Sequence, residues 1–292
     1  MKTTKQLSYI AACLFMVSCD LINPEEPLPA YLVIDDYTFT TSYPSEGSAS
    51  EKFSEIWVYA GAEFLGAFEV PCVVPIIADG EVEISLRAGI KNNGIASTRK
   101  VYPFIEPYNV TVDMRPLEKD TIRPSFAYRE NLVIVNAEDF EQGCIFTAES
   151  SSQSTMNRIT NQLHVFEGNG CGEGLLLDGT SVLRIVSNEQ QFELPANKLS
   201  WLEMNYKSNN SFAVGLYAVT SASAEKEYLM VLNNTVDETG VAQWNKIYIE
   251  TTAITSGYAN ANYFELFFEM IRDTNVDESA LYLDNIKLIH FE

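Results

Sequence analysis

The sequence predicts an all-β protein made of two successive β-sandwiches, and three observations carry that prediction. Short runs rich in β-branched and aromatic residues recur along most of the chain, bounded by Gly, Pro, Asn and Asp turn signals. No apolar repeat of helical period competes with them. The 292 residues are 46% hydrophobic and 12% aromatic, enough to fill two cores.

The first element lies outside the fold. Lys2 and Lys5 form a positive n-region, and Leu7 to Val17 is an apolar run too short to cross a bilayer. Ser18 then directly precedes Cys19. This run resembles a bacterial lipobox, which implies cleavage after residue 18 and acylation of Cys19. The other reading is an ordinary secretory signal with an incidental Cys. The lipobox resemblance implies a lipoprotein anchored in the outer membrane, on its periplasmic face or at the cell surface, because several acyl chains hold a protein stably at about 0.8 kcal/mol per buried methylene. Residues 19–29 follow as an acidic, Pro-containing tether. Its Pro24-Glu25-Glu26 is similar to the acidic surface-export signals of Bacteroidota lipoproteins.

Residues 30–116 read as the first sandwich. Tyr31 to Asp35, Ile56 to Tyr59, Phe64 to Val70, Glu81 to Leu86 and Tyr108 to Met114 are its strand candidates. Ile56-Trp57-Val58-Tyr59, Leu65-Gly66, Pro75 and Asp79-Gly80 resemble PEGA-type surface domains, so the resemblance implies an Ig-like/PEGA-like β-sandwich serving as a spacer. The basic stretch Lys91 to Lys100 and the aromatic, Pro-rich Tyr102 to Tyr108 form a long connection. It suits contact with a glycan or a partner protein, or packing over the sandwich by its own aromatics.

Residues 117–128 are charged, aperiodic and contain Pro124, which marks them as a linker. Asp120-Thr121-Ile122 resembles the O-glycosylation acceptor of Bacteroidota. Residues 129–292 then supply strands at Asn131 to Val135, Val182 to Val186, Leu199 to Lys207, Phe212 to Val219, Tyr228 to Asn233, Trp244 to Thr251, Phe264 to Arg272 and Leu281 to Phe291. That count suits a jelly roll. Asp139-Phe140-Glu141 and Leu281 to Leu288 resemble the opening and closing motifs of galactose-binding-like carbohydrate-binding modules. The resemblance implies a C-terminal jelly-roll β-sandwich whose first and last strands pair.

Two candidate sites follow. By the two-residue period Tyr282, Asp284, Ile286 and Leu288 share one face, which puts Asp284 on or beside a buried surface where a carboxylate needs donors or a cation. The jelly-roll resemblance implies a structural calcium held by Asp139, Glu141 and Asp284; the alternative is a carboxylate bonded to backbone N–H groups. The second site is a face mixing aromatics with polar groups. Trp201, Glu203, Asn205 and Lys207 oppose Leu202, Met204 and Tyr206, while Trp244, Lys246 and Tyr248 oppose Ile247 and Ile249. Tyr263, Glu265, Phe267 and Glu269 likewise oppose Phe264, Leu266, Phe268 and Met270. Rings stack on sugar C–H faces while carboxylates and amides take hydroxyls, so Trp201, Glu203, Asn205, Trp244 and Tyr248 are the glycan candidates. The plainer alternative is the cover of a solvent-facing sheet, or the contact with the first domain.

A formal charge of −21 disfavours nucleic acid as a partner and leaves a glycan or another envelope protein. Cys144 and Cys171 are able to pair in an exported protein. Catalytic signatures are missing: there is no Gly-x-Ser-x-Gly elbow, His-Glu-x-x-His or P-loop, and the two His residues have no sequence context for nucleophilic catalysis. A non-catalytic binding protein is expected. A structural lipoprotein and a carbohydrate-active enzyme are the alternatives.

Overall fold

Strand after strand forms where β-branched and aromatic residues alternate with polar ones. The computed structural model describes residues 26–187 and 190–292, so the proposed signal peptide, Cys19 and most of the tether lie outside the described residues. The first domain contains β1 (Ala30–Ile34), β2 (Thr38–Thr40), the short helix α1 (Tyr43–Glu46), β3 (Glu55–Ala60), β4 (Glu63–Phe68) and β5 (Cys72–Ile76). It continues with β6 (Gly80–Lys91), β7 (Arg99–Val101), β8 (Tyr108–Met114), β9 (Lys119–Ile122) and β10 (Ser125–Ala127).

These strands make a sandwich. One sheet runs β4-β3-β6-β7, with β8 also on β6; the other runs β5-β1-β9, beside the pair β10-β2. Ala30, Leu32 and Ile34 of β1 turn inward against Ile56 and Val58 of β3 and Ile84 and Leu86 of β6. Residues 117–128 are not a linker, which corrects the sequence expectation. They add β9 in parallel to β1 and β10 in parallel to β2. Charge hid this segment because alternate side chains of β9 face solvent, while Phe126 of β10 is fully buried.

The second domain begins with β11 (Leu132–Glu138), β12 (Thr147–Ala148), β13 (Met156–Ile159), β14 (Cys171–Leu176) and β15 (Val182–Val186). Then come β16 (Ser200–Ser208), β17 (Phe212–Val219), β18 (Ala224–Leu232), β19 (Asn245–Glu250), the helix α2 (Thr252–Gly257), β20 (Tyr263–Ile271) and β21 (Ser279–Phe291). A six-stranded sheet, β13-β14-β21-β16-β19 with β11 also on β21, packs against a five-stranded sheet, β12-β15-β20-β17-β18. As the resemblance implied, the first and last strands pair: β11 runs antiparallel to β21. Leu202, Met204, Leu266, Phe268, Leu283 and Leu288 are among the side chains that fill the space between the sheets.

Strand β21 does not keep one phase. Asn285 has φ +49°, and the pairing with β16 slips between Glu203 and Asn205, so the strand carries a bulge there. Before the bulge Leu281 and Leu283 point into the core; after it Ile286 and Leu288 do. Tyr282 and Asp284 therefore face outward, and the single shared face expected from a strict two-residue period is corrected.

Cys144 and Cys171 are not bridged. The Cys171 thiol donates to His164 O at 3.4 Å, and that of Cys144 lies 3.8 Å from both Phe146 O and Met156 O. Among the described residues no helix is long and apolar enough to cross a membrane.

Candidate functional site

The two domains share a core. Trp201, Tyr248 and Ile289, on the outer face of the six-stranded sheet, are buried among the side chains of the first domain. Trp201 is 1% exposed. Its ring meets Phe104 edge-on at 5.4 Å and Tyr102 at 6.1 Å. Tyr102 lies 4.9 Å from Tyr248, and Phe104 lies 5.1 Å from Phe291. Aromatic pairs of this kind contribute about 0.5–1.5 kcal/mol each beyond the area they bury. The basic connection after β6 is what docks here. The Asn93 N–H donates to Tyr248 O and the Glu250 N–H donates to Asn93 Oδ1, both at 2.9 Å. Lys100 pairs with Glu250 at 2.8 Å while lying 4.7 Å from the Trp201 ring centroid.

Beneath this layer is a buried charge network. Glu203 Oε1 accepts from Tyr102 OH at 2.7 Å and Tyr128 OH at 3.0 Å, and Lys246 Nζ lies 3.0 Å from Oε2. That last contact has ion-pair distance without hydrogen-bonding geometry. Burial pushes the Glu203 carboxyl up, but Lys246, Lys287 and the Tyr102 phenol outweigh it and hold it below the usual range. Lys287 donates to Ser48 O at 2.6 Å, and burial lowers its ammonium to about 8.

The glycan reading of these positions is therefore corrected. Trp201, Glu203, Asn205 and Tyr248 are all buried, and it is the docked first domain that covers Trp201, Glu203 and Tyr248. Alternation assigned them rightly to one face, but the cover is the neighbouring domain. Trp244 is half-buried outside that contact, edge-on to Phe166 at 5.5 Å. Lys207 is the cation it meets: its ammonium lies 5.2 Å from the Trp244 ring, 4.5 Å from Tyr282 and 3.4 Å from His164 Nδ1.

The calcium residues divide. Asp284 is 1% exposed, and its carboxylate accepts the Asn285 N–H at 2.8 Å and the Glu167 N–H at 3.4 Å. Burial, with the like charges of Glu167 and Glu141, pushes it up to about 8. Asn205, its partner across the ladder, has a buried Oδ1 that receives no hydrogen bond. Both side chains offer oxygen, the donor type that calcium takes. The carboxylates of Asp139 and Glu141 are engaged elsewhere: Asp139 accepts from Tyr43 OH at 3.1 Å, and Glu141 from the Asn169 N–H at 2.7 Å and its amide at 2.9 Å. Among the described residues no three His, Cys, Asp or Glu side chains converge in metal-binding geometry.

Among the described residues the second-domain side chains buried in the first domain's core, Trp201, Tyr248 and Ile289, all come from the six-stranded sheet, while Tyr228, Val231 and Ile271 of the five-stranded sheet are exposed. Phe267, itself fully buried beneath its neighbours, lies over Gly215, where a Cβ would meet the Phe267 ring at 2.3 Å and Glu227 O at 2.2 Å. Only glycine fits there. Tyr217 and Tyr228 flank Phe267, each at 5.2 Å, and Tyr228 is 53% exposed. Charged groups surround the rings. Lys226 bridges Glu149 at 3.3 Å and Glu269 at 3.1 Å, and Arg184 reaches Glu269 at 3.2 Å. Tyr217 OH donates to Glu149 at 2.9 Å, and Tyr228 OH to Glu269 at 3.1 Å. Glu265, next along β20, is raised by partial burial. Tyr263, Glu265, Phe267 and Glu269 were legible as one face of their strand; Tyr217, Tyr228, Lys226, Arg184 and Glu149 join them only through strand pairing.

No protein-family model and no curated protein matches the sequence. The solved structures it is similar to include carbohydrate-binding modules and an adhesin domain. One, from a study of their promiscuous specificity, is 12% identical, spans 90% of this chain and 98% of its own, and has a TM-score of 0.40. A family 28 module specific for non-crystalline cellulose is 10% identical over 52% of this chain and 92% of its own, with a TM-score of 0.36. The K3 cleaved adhesin domain of Lys-gingipain from Porphyromonas gingivalis is 14% identical over 52% of this chain and 95% of its own, with a TM-score of 0.35.

Proposed function

We propose that this chain is a non-catalytic, glycan-binding protein of the cell envelope whose recognition face is the open outer face of the five-stranded sheet. The observation that carries the reading is the half-exposed Tyr228 ring beside Tyr217 and Phe267, ringed by carboxylate, guanidinium and ammonium groups already held in place by one another. Such a surface offers a ring to the C–H face of a sugar and fixed donors and acceptors to its hydroxyls, with little side-chain entropy left to lose. The test is a screen of the full chain on a glycan array beside Tyr228→Ala. Saturable binding weakened at least about tenfold in the variant, in line with the loss of an aromatic anchor, supports the reading. Binding that Tyr228→Ala leaves intact places the ligand elsewhere.

The proposal includes a lipid anchor at Cys19 and an outer-membrane location, supported by the n-region, the short apolar run and Ser18-Cys19. It also includes calcium at Asp284, supported by the raised carboxyl and by Asn205 Oδ1 beside it. A calcium ion there would supply positive charge to a buried carboxylate, and further oxygens from backbone or water would complete its shell.

A further inference from the structure

Where the first domain meets β19, the two leave a cleft of about 350 Å³. Lys52, Lys91 and Lys246 line it, in a chain whose formal charge is −21. Lys246 turns its ammonium inward to Glu203. The other two have no such partner. Lys52 donates to Asn245 Oδ1, a neutral acceptor, and Lys91 has neither ion pair nor hydrogen bond from its side chain among the described residues. The one carboxylate on the cleft wall, Glu69, pairs with Arg99 at 3.2 Å. Two ammonium groups thus line one cleft without a carboxylate partner among the described residues. Partial burial lowers the Lys52 ammonium, and the charge of Lys91 lowers it further. Phe53 supplies an apolar wall, backed by the buried Tyr248, their rings 17° from parallel and 6.4 Å apart.

We infer that this interdomain cleft binds the carboxylate of an acidic sugar, with the carboxylate between Lys52 and Lys91 and the sugar ring against Phe53. The chemistry follows from the lining. An oxyanion neutralises both ammonium groups at once through charge-assisted hydrogen bonds, which are the strong kind. A bare inorganic anion fills little of 350 Å³, whereas a cleft of that size at a domain junction suits a ring-sized ligand. None of these residues belongs to the open face, so either site stands if the other fails.

The experiment titrates the full chain calorimetrically with sodium glucuronate, glucose and sodium sulfate at one ionic strength. Glucuronate is expected to bind saturably, and glucose at least about tenfold more weakly, since it lacks the charge-assisted bonds. Lys52→Gln and Lys91→Gln are each expected to weaken glucuronate at least about tenfold, while Lys119→Gln on the remote β9 binds like the parent. Without ligand, Lys91→Gln is expected to melt no lower than the parent, because one of two like charges is gone; this separates a lost contact from a lost fold. No saturable glucuronate binding, or binding indifferent to both cleft variants, overturns the inference. Sulfate bound as tightly as glucuronate overturns the sugar-acid assignment.

Discussion

The indole N–H of Trp201 donates to Asn92 Oδ1 at 3.0 Å, joining the outer face of the second domain's sheet to the connection that follows β6 in the first. The same Asn92 gives its amide to Glu250 at 3.0 Å, so one side chain bridges β16 and the end of β19. Polar groups this deep are stabilising only when each has its partner. The contact is accordingly specific, and it fixes which sheet of the jelly roll remains open.

Trp201→Ala is expected to act on stability. Removing a fully buried indole from between Phe104, Tyr102 and Lys100 costs about 3–5 kcal/mol, the range for large aromatic truncations in a core. Urea unfolding checks it. Unchanged stability with lost glycan binding would return Trp201 to the ligand face.

Glu203→Gln leaves Lys246 and Lys287 buried without their common counter-charge. Breaking a buried pair in this way costs about 3–5 kcal/mol. Differential scanning calorimetry at neutral pH reads the change. A variant as stable as the parent would show that the two tyrosine hydroxyls alone satisfy this site.

Asp284 sets a pH dependence whose sign is fixed by its environment. Its carboxyl titrates near 8 when folded and near 3.8 when unfolded, so between these values the folded state binds the extra proton. Its contribution to stability is therefore largest below about 3.8 and is lost as the pH rises through about 8. Asp284→Asn is expected to flatten the stability profile over that window. Calcium at millimolar concentration is expected to do the same in the parent by stabilising the ionised form, and magnesium less so. A melting temperature that calcium leaves unmoved across the alkaline end of that window would remove the ion from the proposal.

Gly215→Ala probes the open face from below. Its new methyl group would meet Glu227 O and the Phe267 ring at distances no side chain tolerates, displacing both. Overpacking of this kind costs about 1–3 kcal/mol, and glycan affinity is expected to fall because the displaced Phe267 shifts the Tyr228 ring that packs on it. Retained affinity at full stability would show that the position of Tyr228 does not depend on Phe267.

Cys19→Ser is expected to abolish incorporation of a clickable palmitate analogue in a lipoprotein-processing host and to release the protein from the membrane fraction. Labelling that persists in the variant would place the lipid on another residue.

What the sequence determined by itself was local. Alternation at period two sorted Trp201, Glu203 and Asn205 from Leu202, Met204 and Tyr206, and it did the same along β19 and β20 with no error of phase. That sorting survives because a strand's side-chain direction depends only on its own backbone. It failed at β21, where one αL residue, Asn285, reverses the phase; an Asn inside a strand is the residue type that tolerates this conformation, and strict alternation passes over it. It failed also at residues 117–128, whose strands exist because β1 and β2 offer them edges. Tertiary structure alone decided what lies opposite each face. An outward Trp beside a Glu reads the same whether a sugar or a protein domain covers it, since both are met by an aromatic ring and a carboxylate. Only the docking of the Lys91 to Lys100 connection onto β19 distinguishes them, burying Trp201 and Glu203 while leaving Tyr228 in water.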